Sequence, residues 1–256
     1  MKNAILLAGH LRTFSTTKPK WEECSKDNQA EIYLHLWNTC GNRLDLQPGE
    51  TVAKLGAYAP KTFDRNLIDP AICNEFTFIQ EESVKESEFL KKVKPLEDQF
   101  IAKNLKPPSM AGIVSQWYKR YEGLKWLMSR DSSVDMVILS RPDFHIGAHA
   151  KAPLSRLQSS LLPLVSKFDL SSLDKDKTYF SWLHPSDGYN DLYLIGHPEN
   201  LLKVCTIYQD GVDVFVNKYK DVNVKKLDCG HAFLMSWLET LSLKIEVVGL
   251  AGWIER

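Results

Sequence analysis

The stretch Val134-Asp135-Met136-Val137-Ile138-Leu139-Ser140-Arg141-Pro142-Asp143-Phe144 holds the residues best suited to chemistry. A hydrophobic strand ends abruptly in Arg-Pro-Asp. A guanidinium and a carboxylate are thereby delivered to the strand's carboxyl edge, with proline stiffening the turn between them. A transfer reaction that expels a diphosphate must stabilise the charge building on the departing group. A divalent cation held by carboxylate can do this, and so can a fixed cationic side chain. Asp143 is therefore the leading candidate to hold metal and diphosphate, with Arg141 beside it. The competing reading is a plain ion pair within a turn.

A second constellation, Gly9-His10-Leu11-Arg12-Thr13-Phe14, follows the first apolar run. Gly9 lets backbone approach a ligand, and with His10 and Arg12 it forms a natural contact for nucleotide phosphate. The alternative for Arg12 is a surface position in a strand-to-helix loop. The stretch lacks the Gly-Lys-Ser/Thr ending of a P-loop and the Gly-x-Gly-x-x-Gly of a dinucleotide fold, so neither an NTPase nor a dehydrogenase is supported. A Lys-Ser-Gly-Thr-like loop, expected of a sulfotransferase, is also missing. On the acceptor side, Tyr189-Asn190-Asp191 follows a Ser186-Asp187-Gly188 turn. An inverting transfer needs a carboxylate to take the proton of the acceptor hydroxyl as the new bond forms. Asp191 is the first choice for that base and Asp187 the second; Asp191 could instead bind backbone amides in a turn.

The elements that must position these groups follow from the pattern of apolar residues. Short runs rich in β-branched residues recur at Ala4 to Ala8, Glu31 to Trp37, Glu75 to Ile79, Met136 to Leu139, Thr178 to Trp182, Asp191 to Ile195 and Ile245 to Leu250. Segments of helical period lie between several of them, the signature of an α/β sandwich with a mainly parallel central sheet. Ligands then bind at the strands' carboxyl ends. The clearest helix runs from about Met110 to Met128, with Ser109 as N-cap after Pro107-Pro108. Ile113, Trp117, Tyr121, Leu124 and Met128 form its apolar stripe. Gln116, Lys119 and Gly123 lie on the other side, with Arg120 at the boundary, which predicts one packed and one polar face. A further helix begins after His197 with Pro198 at its first position, and another runs from near Asp228 through Trp237.

With 256 residues and 44% hydrophobic composition, one domain spanning residues 1–256 is the expectation. The break at Pro107-Pro108 divides it into a nucleotide-binding half, 1–106, and a metal and acceptor half, 107–256, that share one sheet. Lys plus Arg equals Asp plus Glu at 32 each, so no overall field draws the chain towards nucleic acid or an anionic membrane. The apolar opening meets His10 and Arg12 too soon for a signal peptide or a transmembrane segment. Five cysteines without a Cys-x-x-Cys pair argue against a zinc cage and a disulfide framework, so a cytoplasmic location is expected. The oligomeric state is not legible.

Five motifs in order, Ile-Leu-Leu-Ala-Gly-His-Leu-Arg-Thr-Phe, Glu-Ile-Tyr-Leu-His-Leu-Trp-Asn, Ser-Gln-Trp-Tyr-Lys-Arg, Val-Ile-Leu-Ser-Arg-Pro-Asp-Phe and Tyr-Asn-Asp-Leu-Tyr-Leu-Ile-Gly, span most of the chain. Together they resemble GT-A-type glycosyltransferases of bacterial surface-polysaccharide clusters and large algal viruses. The resemblance implies a Rossmann-like nucleotide-binding half, a sugar donor on a nucleoside diphosphate, a glycan acceptor, and Mn²⁺ or Mg²⁺. It puts Asp143 at the last position of a DxD-type metal motif and Arg141 where the first aspartate usually stands. One carboxylate is thus removed from the metal shell, so either Asp143 binds the cation with water and phosphate oxygens or Arg141 partly replaces the cation. The literal Asp174-Lys175-Asp176 follows no hydrophobic strand and reads as a solvated turn. The helix face with Gln116, Lys119, Arg120 and Gly123 resembles the helix that crosses behind the donor, where a cation balances pyrophosphate; an ordinary solvated face is the alternative. His35, Trp37 and Asn38 could frame the nucleobase, with Trp37 as a stacking surface or as a core residue. The resemblance also sets His231 near the acceptor, with Asp228, an N-cap three residues before it, as a second candidate; a satisfied core histidine is the alternative. The expected activity is sugar transfer from a nucleotide-sugar to a glycan hydroxyl, and the alternative is a non-catalytic glycan- or nucleotide-binding module on the same scaffold.

Overall fold

The computed structural model describes residues 1–10, 14–37, 75–79, 91, 94–95, 98, 102, 110–142, 144–146, 169–180, 183–184, 188–189, 191–219, 229–248 and 252–254. Among the described residues, seven strands form the main sheet. They are β1 (Asn3–Gly9), β2 (Ala30–Trp37), β3 (Glu75–Ile79), β4 (Met136–Ser140), β6 (Lys177–Phe180), β9 (Leu194–Gly196) and β10 (Lys244–Val247), in the spatial order β10-β6-β9-β4-β1-β2-β3. β9 runs antiparallel to both its neighbours and every other neighbouring pair is parallel, so the sheet is mainly parallel as predicted. Strands from both sides of the Pro107-Pro108 break lie in this one sheet. Small pairings add β5 (Phe144–Ile146) to β11 (Gly252–Ile254) and β7 (Leu183–His184) to β8 (Gly188–Tyr189).

The inner strands are apolar on both faces because both faces are covered. In β1, Ala4, Leu6 and Ala8 point to one core and Ile5 and Leu7 to the other; in β4, Val137 and Leu139 alternate in the same way with Met136 and Ile138. Each Val, Leu, Ile or Met side chain so buried contributes about 1.5–3 kcal/mol, which fixes the register, since a one-residue slip would turn every side chain to the wrong layer. β10 sits at the sheet edge with alternate residues exposed, and its Glu246 pairs with Lys177 of β6 at 2.7 Å. Charge on an exposed edge discourages further strand pairing.

One face carries α1 (Phe14–Asn28), a helix that the apolar pattern did not predict. Its buried positions Phe14, Thr17, Trp21 and Asn28, with Cys24 packed against the same core, recur at helical spacing, but two of them are polar and Pro19 interrupts the segment. Pro19 is exposed and lacks the N–H that would continue the helical ladder. The opposite face carries α2 (Met110–Arg130), α3 (Pro198–Cys205), α4 (Gly211–Tyr219) and α5 (Cys229–Leu238). Pro198 stands at the start of α3 as predicted, with the His197 ring accepting the Glu199 N–H.

The predicted polar face of α2 is corrected. Lys119 and Arg120 are fully buried, and Gly123 is buried as well. The helix packs on β1 and β2 and against α3, α5 and the 3-10 turn Thr206–Tyr208, so these three positions are covered, while Lys125 and Ser129 stay exposed on another side of it. Its Gly123 presses on β2: an added Cβ would stand 3.2 Å from the Cβ of His35. The β9 strand also starts later than predicted, at Leu194 instead of Asp191, leaving Asp191 in the segment that enters the sheet edge.

Candidate functional site

The order β3-β2-β1-β4 contains a topological switch point. The chain steps from β1 to β2 and β3 on one side, then returns to lay β4 against the other side of β1. Helical connections leave a parallel sheet in opposite directions at such a point, opening a crevice at the strands' carboxyl ends. Gly9 and His10 end β1 there, and Ser140, Arg141 and Pro142 end β4 beside them. Gly9 has φ +147°, a conformation that side-chain-bearing residues rarely adopt, and an added Cβ would meet Pro142 Cδ at 3.4 Å. Glycine here permits the close approach of the two strand ends.

The Phe144 N–H donates to the Arg141 carbonyl at 3.2 Å, and Pro142 follows Arg141 where its fixed φ suits a turn. The turn is anchored on both sides. The Thr17 hydroxyl of α1 donates to the Pro142 carbonyl, and Phe144 is fully buried against Tyr193 and Trp21, at ring separations of 5.9 and 6.3 Å. The Ser140 hydroxyl donates to the Leu192 carbonyl at 3.0 Å, tying the end of β4 to the segment that enters β9.

Because β9 is antiparallel to β4, its leading residues reach the same edge. Asp191 is held there by two residues one turn apart on α2. Arg120 donates to its backbone carbonyl, and Gln116 Nε2 donates to its carboxylate at 3.0 Å. The other end of the Gln116 amide accepts from Arg141 Nη1 at 3.4 Å. A guanidinium can only donate and a carboxylate only accept, so this amide orientation alone serves both partners. Arg141, Gln116 and Asp191 are all half-buried and form a chain from the switch point to the entrance of β9. Arg120 completes the grip from below, its guanidinium 4.7 Å from the Trp117 ring.

Lys119 occupies a different position from the one predicted. Its amine is buried, donates to the Leu36 carbonyl, and lies 4.7 Å from the centroid of the Trp37 ring. Burial pulls its pKa down to about 6. It therefore supports the end of β2 instead of standing in the cleft as a phosphate ligand. Trp37 is only 4% exposed, so its indole belongs to the core and offers no open stacking face; His10 lies against it at a ring separation of 6.0 Å. His35 is buried too, and burial together with the neighbouring Lys119 amine lowers its pKa to about 3.

Of the remaining predicted residues, Arg12, Asn38, Asp143, Asp187 and Asp228 lie outside the described residues. His231, half-buried near the start of α5, stands 2.9 Å through Nδ1 from the Tyr189 carbonyl. A carbonyl can only accept, so Nδ1 carries the proton. Asp174-Lys175-Asp176 is the solvated turn expected of it: all three residues are exposed and the Asp174 carboxylate accepts the Asp176 N–H at 2.9 Å. Sequence reading missed Thr17 and Ser140 as turn anchors and Arg120 as a support of Asp191. The spacing of Thr17 with Phe14 and Trp21 was the available signal for the first; nothing local marks the other two.

The described donors at this edge do not by themselves fit a divalent cation. Arg141 cannot ligate one, and the Asp191 carboxylate alone supplies too few ligands for a divalent cation. Among the described residues there is no cluster of three or more His, Cys, Asp or Glu with metal-binding geometry. None of the described helices is long and apolar enough to cross a membrane. No family model matches the chain, and no curated protein does. Among solved structures, one similar chain is the crystal structure of a glycosyltransferase involved in the glycosylation of the major capsid of PBCV-1, at 11% identity and TM-score 0.38, covering 96% of this chain and 82% of that one. A likeness that loose decides neither fold nor chemistry, which rest on the residues themselves.

Proposed function

We propose that this chain is a glycosyltransferase of GT-A type that moves a sugar from a nucleoside diphosphate donor to a hydroxyl of a glycan acceptor. The observation that carries the reading is the convergence at the β1–β4 switch point. A glycine-lined backbone, a guanidinium and a carboxylate meet at one sheet edge, with the guanidinium and the carboxylate joined through Gln116. Arg141 is suited to the diphosphate: a planar, permanently charged fork binds phosphate oxygens and offsets the charge that grows on them as the sugar departs. Gly9 gives the phosphates access to backbone, and Arg12 is the second cation of the proposal.

Asp191 is the base that accepts the acceptor's proton, with Asp187 as the second carboxylate of that segment. A base must be held at hydrogen-bonding distance from the hydroxyl it serves, and the double grip of Gln116 and Arg120 is the kind of support that requires. Metal assistance is assigned to Asp143; the described donors around Arg141 do not by themselves form a metal shell. Its test is direct: stimulation of transfer by Mn²⁺ that disappears in Asp143→Asn.

Release of nucleoside diphosphate from UDP-, GDP- and dTDP-sugars, measured with and without glycan acceptors, tests the function as a whole. Turnover with one donor supports the enzyme. Tight glycan or nucleotide binding without any turnover would make the chain a binding module instead.

A further inference from the structure

We infer that Gln116 is a positioning residue that sets the Asp191 carboxylate for proton transfer while marking the resting place of Arg141, and that it does not bind the donor itself. This rests on the assignment of Arg141 to diphosphate and Asp191 to the base.

The geometry gives the amide two different tasks. Its N–H bond to Asp191 is 3.0 Å long and goes to a charged acceptor; its oxygen receives Arg141 at 3.4 Å, near the outer limit of a hydrogen bond. The first is the stronger contact. A diphosphate offers Arg141 shorter, charge-assisted bonds, so the guanidinium can turn to the ligand while the amide keeps its hold on the carboxylate. The helix makes that hold rigid. Gln116 and Arg120 are four residues apart and thus stacked on one face of α2, so the side chain and the backbone of Asp191 are gripped by successive turns of a single element. Along the same helix Trp117, Arg120, Leu124 and Leu127 are fully buried, which fixes its position over the sheet.

A residue with this role affects the chemical step more than donor affinity. Gln116→Met keeps the length of the side chain and removes both hydrogen bonds. Its kcat should fall about tenfold to a hundredfold, part of what a well-placed base contributes. The KM for the donor should change less than about threefold, as expected when an interaction is used only in the transition state. Gln116→Glu keeps the shape but places a negative charge against Asp191 and a strong partner before Arg141. It should lower kcat and raise the donor KM together. Melting temperatures of both variants report whether the fold is retained.

Steady-state kinetics of wild type, Gln116→Met and Gln116→Glu with the donor that the wild type turns over decide the matter. The split just described supports the inference. An unchanged kcat in Gln116→Met, or a rise in KM alone, overturns it while leaving the glycosyltransferase reading intact. Absence of transfer by the wild type with every donor overturns that reading, and this one with it.

Discussion

Lys119 lies with its amine 4.7 Å from the centroid of the Trp37 ring, and neither residue is open to solvent. An amine with its pKa near 6 is largely neutral at pH 7 and serves there as a hydrogen-bond donor to Leu36. In the unfolded chain the same lysine titrates near 10.5. Between these two values the unfolded state binds the proton that the folded state lacks, so stability rises with pH across that window, by up to about 1.4 kcal/mol per unit. Urea midpoints at pH 6.5, 8 and 9.5 should climb in the wild type. In Lys119→Met the climb should flatten, even if the loss of the Leu36 contact lowers stability at every pH.

His35 governs the acid side. It is neutral in the fold, with a pKa of about 3, against 6.5 for the ordinary side chain. Its contribution is intact above pH 6.5 and is lost as pH falls towards 3, because the unfolded chain takes up the proton first. Going from pH 6.5 to 5 should cost about 2 kcal/mol. The groups packed around the ring, Lys119, Trp126 and Gly123, offer no acid to hold an imidazolium. His35→Gln should remove this step from the denaturation profile; a step of unchanged size would assign it to other groups.

Gly9→Ala tests the close approach at the switch point. At φ +147° a methyl group strains the backbone and also reaches ordinary contact with Pro142. The expected loss of stability is about 1–3 kcal/mol. Donor KM should rise as well, because the same glycine borders the proposed phosphate site. A variant as stable and active as the wild type would show that the β1 end relaxes freely.

Asp191→Asn keeps the shape and leaves the Arg120 bond to the backbone in place. If Asp191 is the base, transfer should fall about a hundredfold or more. The melting temperature should move little and nucleotide binding should persist. Loss of binding without a specific loss of turnover would instead make Asp191 a structural or ligand-holding residue.

Much of this architecture was legible because buried strands write themselves as unbroken apolar runs. Ala4 to Ala8, Glu31 to Trp37 and Met136 to Leu139 could be placed in a sheet, and the rule that parallel sheets bind at their carboxyl ends pointed to Gly9 and Arg141. The order of the strands could not be read, because pairing β4 with β1 and inserting antiparallel β9 beside it are decisions between distant segments. α1 was hidden by Thr17, Pro19 and Asn28, polar or helix-breaking residues whose roles appear only when the partner segments are in place: Thr17 serves the Pro142 carbonyl, and Asn28 donates to Cys24 and accepts from the Leu170 N–H. Lys119 and Arg120 misled for a related reason. A charged residue in a helical pattern reads as solvent-facing, yet here each finds a backbone carbonyl, of Leu36 or Asp191, inside the fold. The pairing of Gln116 with both Arg141 and Asp191 joins residues 25 and 75 positions away and leaves no mark in local sequence.

The proposed glycosyl transfer requires a nucleoside diphosphate sugar to bind at the edge where β1 meets β4, with Arg141 on its phosphates. The most direct measurement is the melting temperature of wild type and Arg141→Ala across UDP-, GDP- and dTDP-sugars. At about a hundredfold excess over Kd, one donor should raise the wild-type midpoint by about 5–10 °C, and the rise should largely vanish in the variant. No rise with any donor, or a full rise in Arg141→Ala, would contradict the account.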